Sequence, residues 1–286
     1  MNTKTLYVVI GPTAVGKTAF SIELAKKLNT EIISADSRQF YKEMSVGTAV
    51  PSPQELKQIK HHFIHHKSIH DQYNVGQFEK EGLAKIKLLF KDKEELILTG
   101  GSGLYIDAIC EGLNFFPEID PEIRENIREK YQKHGLEWLK EQVKMADPKY
   151  YHEVDKENAQ RLLRSLEVCL QSNKPYSSFK NKEPKNRDFQ IKYIGLRMDR
   201  EKLYQRINKR VDLMIENGLI EEAQKLYQFK QLNALQTVGY KEIFDFIDGI
   251  HSKEKAIELI KQNSRRYAKR QITWLKKYAA DWVETT

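Results

Sequence analysis

Sulfur is scarce: 286 residues carry two cysteines, Cys110 and Cys169. Both stand in apolar surroundings with none of the spacing a thiol-bound metal needs. They read as buried free thiols of a chain kept in a reducing cytoplasm. No apolar run is long enough to cross a bilayer, which excludes an integral membrane role. "MNTKT" passes straight into strand-like residues, so no secretory leader is expected. Repeats and low-complexity tracts are also missing. A cytoplasmic globular protein is expected, one large domain or a domain with an insertion, and 40% hydrophobic with 31% charged residues suits that class.

The other shortage is negative charge. Asp and Glu number 40 against 48 Lys and Arg, a formal charge of +8, and the pI is near 9.1. Such an excess points to a polyanionic partner if the cations cluster, and to a merely solvated surface if they do not. In "KQNSRRYAKRQITWLKKY" they cluster: Lys261, Arg265, Arg266, Lys269, Arg270, Lys276 and Lys277 run without an acid, with Tyr267, Ile272, Trp274 and Leu275 among them. A solvated helix ordinarily mixes signs, so this run favours RNA or DNA. Arg161 and Arg164 in "QRLLR", and Arg206, Lys209 and Arg210 in "QRINKR", add candidates, each alone equally well explained by a helix salt bridge.

"TLYVVI" reads as a strand buried on both faces, and "KTAFSIELAKKL" as the helix after it. "EIIS", residues 31–34, predicts a second strand ending in the polar loop "ADSRQFY", and "HHFI", residues 61–64, a third. "VGQFEKEGLAKIKLLF" has helical spacing, and "ELILTGGSGLYIDAI" reads as strand, glycine turn and helix. Strands alternating with helices imply a parallel sheet covered on both faces. From 117 to 187 only helical periodicity appears, ending in the loop-like "NKPYSSFKNKEPKNRD", before "FQIKYIGLRM" restores a strand. The remainder reads as helical, with a long helix from Ser252 to about Tyr278. The expected fold is α/β, a parallel-sheet core over 1–116 and 188–286, with a helical insertion at 117–187.

The strongest motif is "GPTAVGKT": Gly11, Pro12, Thr13, Ala14, Val15, Gly16, Lys17 and Thr18, spaced G-x-x-x-x-G-K-T between a buried strand and a helix. Glycines let successive N–H groups point at an anion, and the helix adds the positive end of its dipole. Lys17 supplies a mobile cation, and the Thr18 hydroxyl can ligate Mg²⁺. Such a loop alone makes phosphoryl transfer the default. Yet "ELILTGG" does not end in the carboxylate that many nucleoside triphosphatases place there. The nearest comparable acid is Asp36, which reads equally well as a turn or helix-cap residue and as a group that meets a substrate beyond the strand ends. His61, His62, His65, His66 and His70 look like a metal cluster, but no Cys or suitably spaced Glu joins them, and a strand with its edge loop explains them better.

"GPTAVGKT", "ISADSRQFYKEMSVGTA", "TGGSGLYIDAICEGL", "NAQRLLRSLEV", "VGYKE" and "AKRQITWLKK" occur in that order. Together they resemble the bacterial tRNA dimethylallyltransferases, or tRNA isopentenyltransferases, over essentially the whole chain. The resemblance implies transfer of a dimethylallyl group from dimethylallyl diphosphate to N6 of the adenosine 3′ to the anticodon, in tRNAs reading codons that begin with U. It implies a P-loop core like that of nucleotide kinases, that the loop holds the donor's diphosphate with Mg²⁺, that Asp36 is the general base and that Arg210 holds the diphosphate. It further implies tRNA contacts at Asp36, Ser37, Arg38 and Gln39, at Ser102 and Arg124, at Gln160, Arg161, Leu162, Leu163 and Arg164, and at Gln236, Thr237, Val238, Gly239, Tyr240 and Lys241. The insertion corresponds to the family's helical part that closes on the anticodon stem-loop, and a monomer without a zinc-finger extension is expected.

Two positions depart from the family pattern. Ser102 stands where Thr is frequent and keeps the hydroxyl; Val50 stands where Lys is common and removes a cation. Three rival readings are a small-molecule kinase, an adenylate isopentenyltransferase and a non-catalytic RNA-binding protein. A free nucleotide needs neither the insertion nor the basic helix, and a binding protein leaves the phosphate loop and Asp36 unexplained.

Overall fold

The computed structural model describes residues 4–180 and 185–285. The chain forms two compact units, Met1–Glu111 with Asn186–Thr286, and Gly112–Lys185. The second unit begins earlier than the insertion expected at 117–187. Of the loop expected near its end, residues 181–184 lie outside the described residues, and the rest contains a 3₁₀ turn at Tyr176–Phe179.

The first unit is built on β1 (Thr5–Ile10), β2 (Ile32–Ser34), β3 (His61–His62), β4 (Glu95–Thr99), β5 (Gln190–Arg197) and β6 (Asp281–Glu284). All pairings are parallel, in the order β3-β2-β4-β1-β5-β6. β1 is central and largely apolar because both its faces are covered. Leu6, Val8 and Ile10 join one core with Ile33, Leu96 and Leu98, and Val9 joins another with Ile32, Ile97 and Leu196. That is the period of two of an extended chain.

The helices of this unit are α1 (Lys17–Leu28), α2 (Pro53–Gln58), α3 (Val75–Leu89) and α4 (Gly103–Cys110) before the insertion. The second unit holds α5 (Pro121–Ala146), α6 (Pro148–Glu153) and α7 (Ala159–Ser172). The first unit then resumes with α8 (Arg200–Glu216), α9 (Leu219–Leu226), α10 (Tyr240–Ile247) and α11 (Lys253–Leu275). Cys110 and Cys169 are both free and buried, and burial pushes the Cys110 thiol up to about 12. No helix among the described residues is long and apolar enough to cross a membrane.

Two expectations about strands need correction. β3 ends at His62 rather than 64, because Phe63 and His65 take positive φ of 63° and 50° and leave the extended region. The remainder of the chain reads as helical from its sequence, yet the segment after α11 forms β6, parallel to β5 with Ile194 opposite Asp281 and Arg197 opposite Glu284. All four β6 residues are exposed. A strand with no buried face has no alternation to read, and this one exists because the edge of β5 offers unpaired backbone groups.

In the second unit, α5 bends at Gly135, whose φ of 76° lies outside the helical region. Its core is Ile127, Leu139, Val143, Leu162, Leu163 and Leu166 with Tyr150 and Val154. Asp147, 1% exposed, caps α6 through Tyr150 N at 2.9 Å and also accepts from Ser177 N at 2.6 Å and Ser177 Oγ at 3.0 Å. Its removal would leave three donors without an acceptor.

Candidate active site

The loops that follow β1, β2 and β4 lie together at the C-terminal ends of these parallel strands, the usual ligand side of such a sheet. The phosphate loop leads from β1 into α1. Gly16, the residue before α1, has φ of 108°, which suits glycine and few others. Lys17 Nζ donates to the carbonyls of Gly11 at 2.9 Å and Pro12 at 2.8 Å. Its pKa is lowered to about 8, first by burial, with Arg210 acting the same way and Asp36 opposing both. Burial likewise lowers that of Arg210, again opposed by Asp36.

Asp36 stands just beyond β2. Its Oδ1 accepts from Arg38 N at 3.0 Å, an Asx-turn that fixes the carboxylate's direction. The turn reading is therefore correct for one oxygen, and it does not remove the acid from the site. Oδ2 lies 3.2 Å from where a Cβ on Gly101 would be. The turn after β4 fastens this loop. A Cβ on Gly100 would come within 2.4 Å of the Ala35 carbonyl, so only glycine permits that approach. Ser37 N donates to Ser102 Oγ at 2.9 Å, and Ser102 Oγ donates to Ser37 Oγ at 2.9 Å. The hydroxyl that Ser102 shares with threonine is the part used. β4 ends at Thr99 and two glycines, so no acid follows it.

Two cavities meet here. One, of about 630 Å³, is lined by Lys17, Thr18, Ser34, Thr99, Gly101, Arg206, Lys209 and Val50. The other, of about 600 Å³, is lined by Ser37, Arg38, Gln236, Thr237, Val238, Gly239, Lys241 and Arg270. Thr13, Ala14, Asp36, Arg210 and Tyr267 line both. α8 brings Arg206, Lys209 and Arg210 to the first cavity because residues three and four apart share a helix face. An Arg210 guanidinium nitrogen donates to Thr13 Oγ1 at 3.0 Å. The arrangement offers an anion pocket beside a carboxylate that also faces a second opening.

Other expected site residues act on their neighbours. Gln39 donates to Thr48 O at 3.2 Å and Ala49 O at 3.1 Å, and Arg38 to Asn233 O at 2.9 Å and Ala234 O at 3.0 Å. The buried Tyr240 donates to Glu222 at 2.6 Å, and the same carboxylate accepts from the N–H groups of Ser45, Val46 and Gly47 at 2.9–3.0 Å. Tyr240 thus holds a loop in place and offers no surface. In the second unit Gln160 and Arg161 are exposed, whereas Leu162 and Leu163 are core and serve by orienting α7. Arg124 and Arg164 each lie 3.5 Å from Glu167.

The basic run is not wholly available to a partner. Lys261 pairs with Asp212 at 2.5 Å, Lys277 with Asp107 at 2.5 Å, and Arg265 donates to Asn208 at 2.6 Å. Arg266, Lys269, Arg270 and Lys276 are exposed. The partners come from other helices, so the linear run overstated the exposed charge. The histidines are scattered in role. His62 bonds Glu31 at 2.6 Å, the His61 ring bonds Ile59 O at 2.8 Å, and His66 packs edge-on to Phe40, Phe63 and Tyr73. No group of three potential ligands gathers among the described residues. A hard cation fits only in the sparse way of Mg²⁺, with one protein hydroxyl, Thr18, beside Lys17 and the rest of its shell from phosphate and water. Gln271, buried within the basic helix, was missed because its partners lie far away in sequence.

A model of the IPP transferase family matches residues 39–278. The tRNA dimethylallyltransferase of Christiangramia forsetii is 55% identical over 269 residues, which cover 94% of this chain and 89% of that one. That of Flavobacterium johnsoniae is 54% identical over 280 residues, covering 96% and 91%. Among solved structures, the tRNA isopentenylpyrophosphate transferase of Bacillus halodurans superposes with a TM-score of 0.71 at 37% identity, over 99% of this chain and 90% of that one. A eukaryotic dimethylallyltransferase described as acting on tRNA superposes with a TM-score of 0.82 at 26% identity, over 99% and 74%.

Proposed function

The chain belongs to the IPP transferase family, and from that premise we propose its full reaction. It is a tRNA dimethylallyltransferase, and it moves the dimethylallyl group of dimethylallyl diphosphate to N6 of the adenosine 3′ to the anticodon, in tRNAs reading codons that begin with U, releasing diphosphate. The observation that carries this reading is the position of Asp36 and Arg210, which line both the phosphate-loop cavity and the second cavity. Donor and acceptor then enter from different openings and react where these two side chains stand. Exposed Gln160 and Arg161 on α7, and Arg270 and Lys241 at the second cavity, supply surfaces for the anticodon stem-loop. The enzyme acts as a monomer in the cytoplasm, where tRNA is.

The chemistry follows from the groups present. An aromatic exocyclic amine is a weak nucleophile, and a carboxylate is too weak a base to deprotonate it beforehand. As the new C–N bond forms, the nitrogen becomes acidic and Asp36 accepts its proton. As the allylic C–O bond breaks, its electron pair leaves with the diphosphate, where Lys17, Arg210 and the loop amides meet the growing charge. Mg²⁺ held at the Thr18 hydroxyl would add Lewis-acid stabilisation of the same phosphates. Unstacking the target base costs a few kcal/mol, which contacts to the rest of the RNA offset.

Incubation with Mg²⁺, labelled dimethylallyl diphosphate and bulk tRNA, followed by digestion to nucleosides, is expected to yield prenylated adenosine. Label on free adenine nucleotides instead, or phosphate passed from ATP to a small acceptor, would replace this reading with one of its rivals.

The lowered pKa of Lys17 gives a further expectation. Below about pH 8 the ammonium is charged and attracts the donor; above it the charge is lost in the free protein. The affinity for a prenyl diphosphate, measured by calorimetry, is therefore expected to fall as pH rises through about 8. Affinity that does not change across that range would show that Lys17 is not the titrating group.

A further inference from the structure

We propose that Gln271 is a positioning residue for transfer, holding the phosphate loop at a set separation from the turn that fastens the Asp36 loop; this rests on the reaction proposed above. Gln271 is 6% exposed and lies on the inner face of α11 with Ala268 and Leu275. An apolar residue would satisfy packing at that place, and a buried amide is costly unless both its ends are bonded. Both are. Oε1 accepts from Thr13 N at 2.7 Å, and Nε2 donates to Gly101 O at 2.8 Å. The side chain therefore spans from the loop after β1 to the turn after β4.

Each end of that bridge continues into a reacting group. On the donor side, the hydroxyl of the same Thr13 holds Arg210 at 3.0 Å. On the acceptor side, a Cβ on Gly101 would sit 3.0 Å from Gln271 Nε2 and 3.2 Å from Asp36 Oδ2, so amide and carboxylate converge on one glycine. Tyr267, one helical turn earlier, donates to the same Gly101 carbonyl at 2.9 Å. α11 is also anchored by contacts that do not involve these two loops. Trp274 Nε1 donates to Asp107 at 3.2 Å, Tyr278 also bonds Asp107, and Asn263 donates to Glu242 at 2.7 Å. The helix is thus a fixed rail, and Gln271 transmits its position to both loops.

The test compares the unaltered enzyme with Gln271→Met, which keeps the length and loses both bonds, and with Gln271→Glu, which keeps the acceptor and loses the donor. In folded variants, kcat for tRNA prenylation is expected to fall about 10–100-fold, while affinities for tRNA and for dimethylallyl diphosphate stay within about threefold, because misplacement by about 1 Å acts on the reaction and less on binding. A kcat within about threefold of the unaltered enzyme, or an affinity loss that matches the kcat loss, overturns the proposal. Hydrogen exchange in the unaltered protein covers the case in which the variants do not fold. The Thr13 amide is expected to exchange more slowly than the Gly16 amide, and exchange as fast as that of Gly16 overturns the bridge itself. If the unaltered enzyme fails to prenylate tRNA, the proposed function fails first, and the exchange result still judges the bridge.

Discussion

Replacing Asp36 with asparagine is expected to lower the rate of prenyl transfer by about 10²–10⁴-fold while dimethylallyl diphosphate still binds. Asparagine keeps an oxygen that can accept from Arg38 N, now at 3.0 Å from Oδ1, so the turn survives. What is lost is an acceptor for the proton that N6 sheds as its bond to carbon forms. The groups proposed to meet the leaving diphosphate stand on the phosphate loop and α8 and keep their own hydrogen bonds, although losing the Asp36 charge removes the influence that raises the pKa of Lys17 and Arg210. Single-turnover measurement with saturating tRNA, beside calorimetry with the donor alone, separates the two effects. Near-normal turnover would remove Asp36 from the role of base. Equal losses of rate and donor affinity would make it a binding group.

Arg210→Met is expected to reduce kcat by about 10²–10³-fold and to weaken the donor's binding as well. The guanidinium is held by Thr13 Oγ1 at 3.0 Å and lines both cavities, which in the proposed reaction puts it beside the phosphates as the allylic bond breaks. Burial lowers its pKa, but an arginine stays charged at any working pH. Arg210→Lys keeps the charge and loses the planar fork, so it should recover part of the rate and most of the affinity. Steady-state kinetics on both variants decides the matter: a methionine variant within about threefold of the unaltered kcat would place the charge stabilisation elsewhere.

The phosphate loop was legible because everything that defines it is local. Its glycines, Lys17 and Thr18 fall within eight consecutive residues, and the flanking strand and helix declare themselves by their own periodicity. The central strands were legible for a related reason. β1 and β4 are covered on both faces, and the consecutive apolar residues at 96–98 and 8–10 record that. β6 carried no such record, since all four residues are exposed and only the neighbouring strand makes them extended. The basic run misled for the same reason in reverse: the acids that pair with Lys261 and Lys277 stand on α8 and α4, 49 and 170 positions away.

By itself, then, the sequence determined the α/β core, the glycine-rich loop between β1 and α1 and, through six ordered blocks, the family. These rest on short-range patterns: backbone curl, helix dipole and the alternation of buried residues. The tertiary structure decided which charges are free and that Tyr240 holds a loop through Glu222. It also decided that a glutamine 258 residues from the phosphate loop braces it against the turn beside Asp36. Those are facts about distance in space, set by how helices pack on the sheet, and no local pattern encodes them.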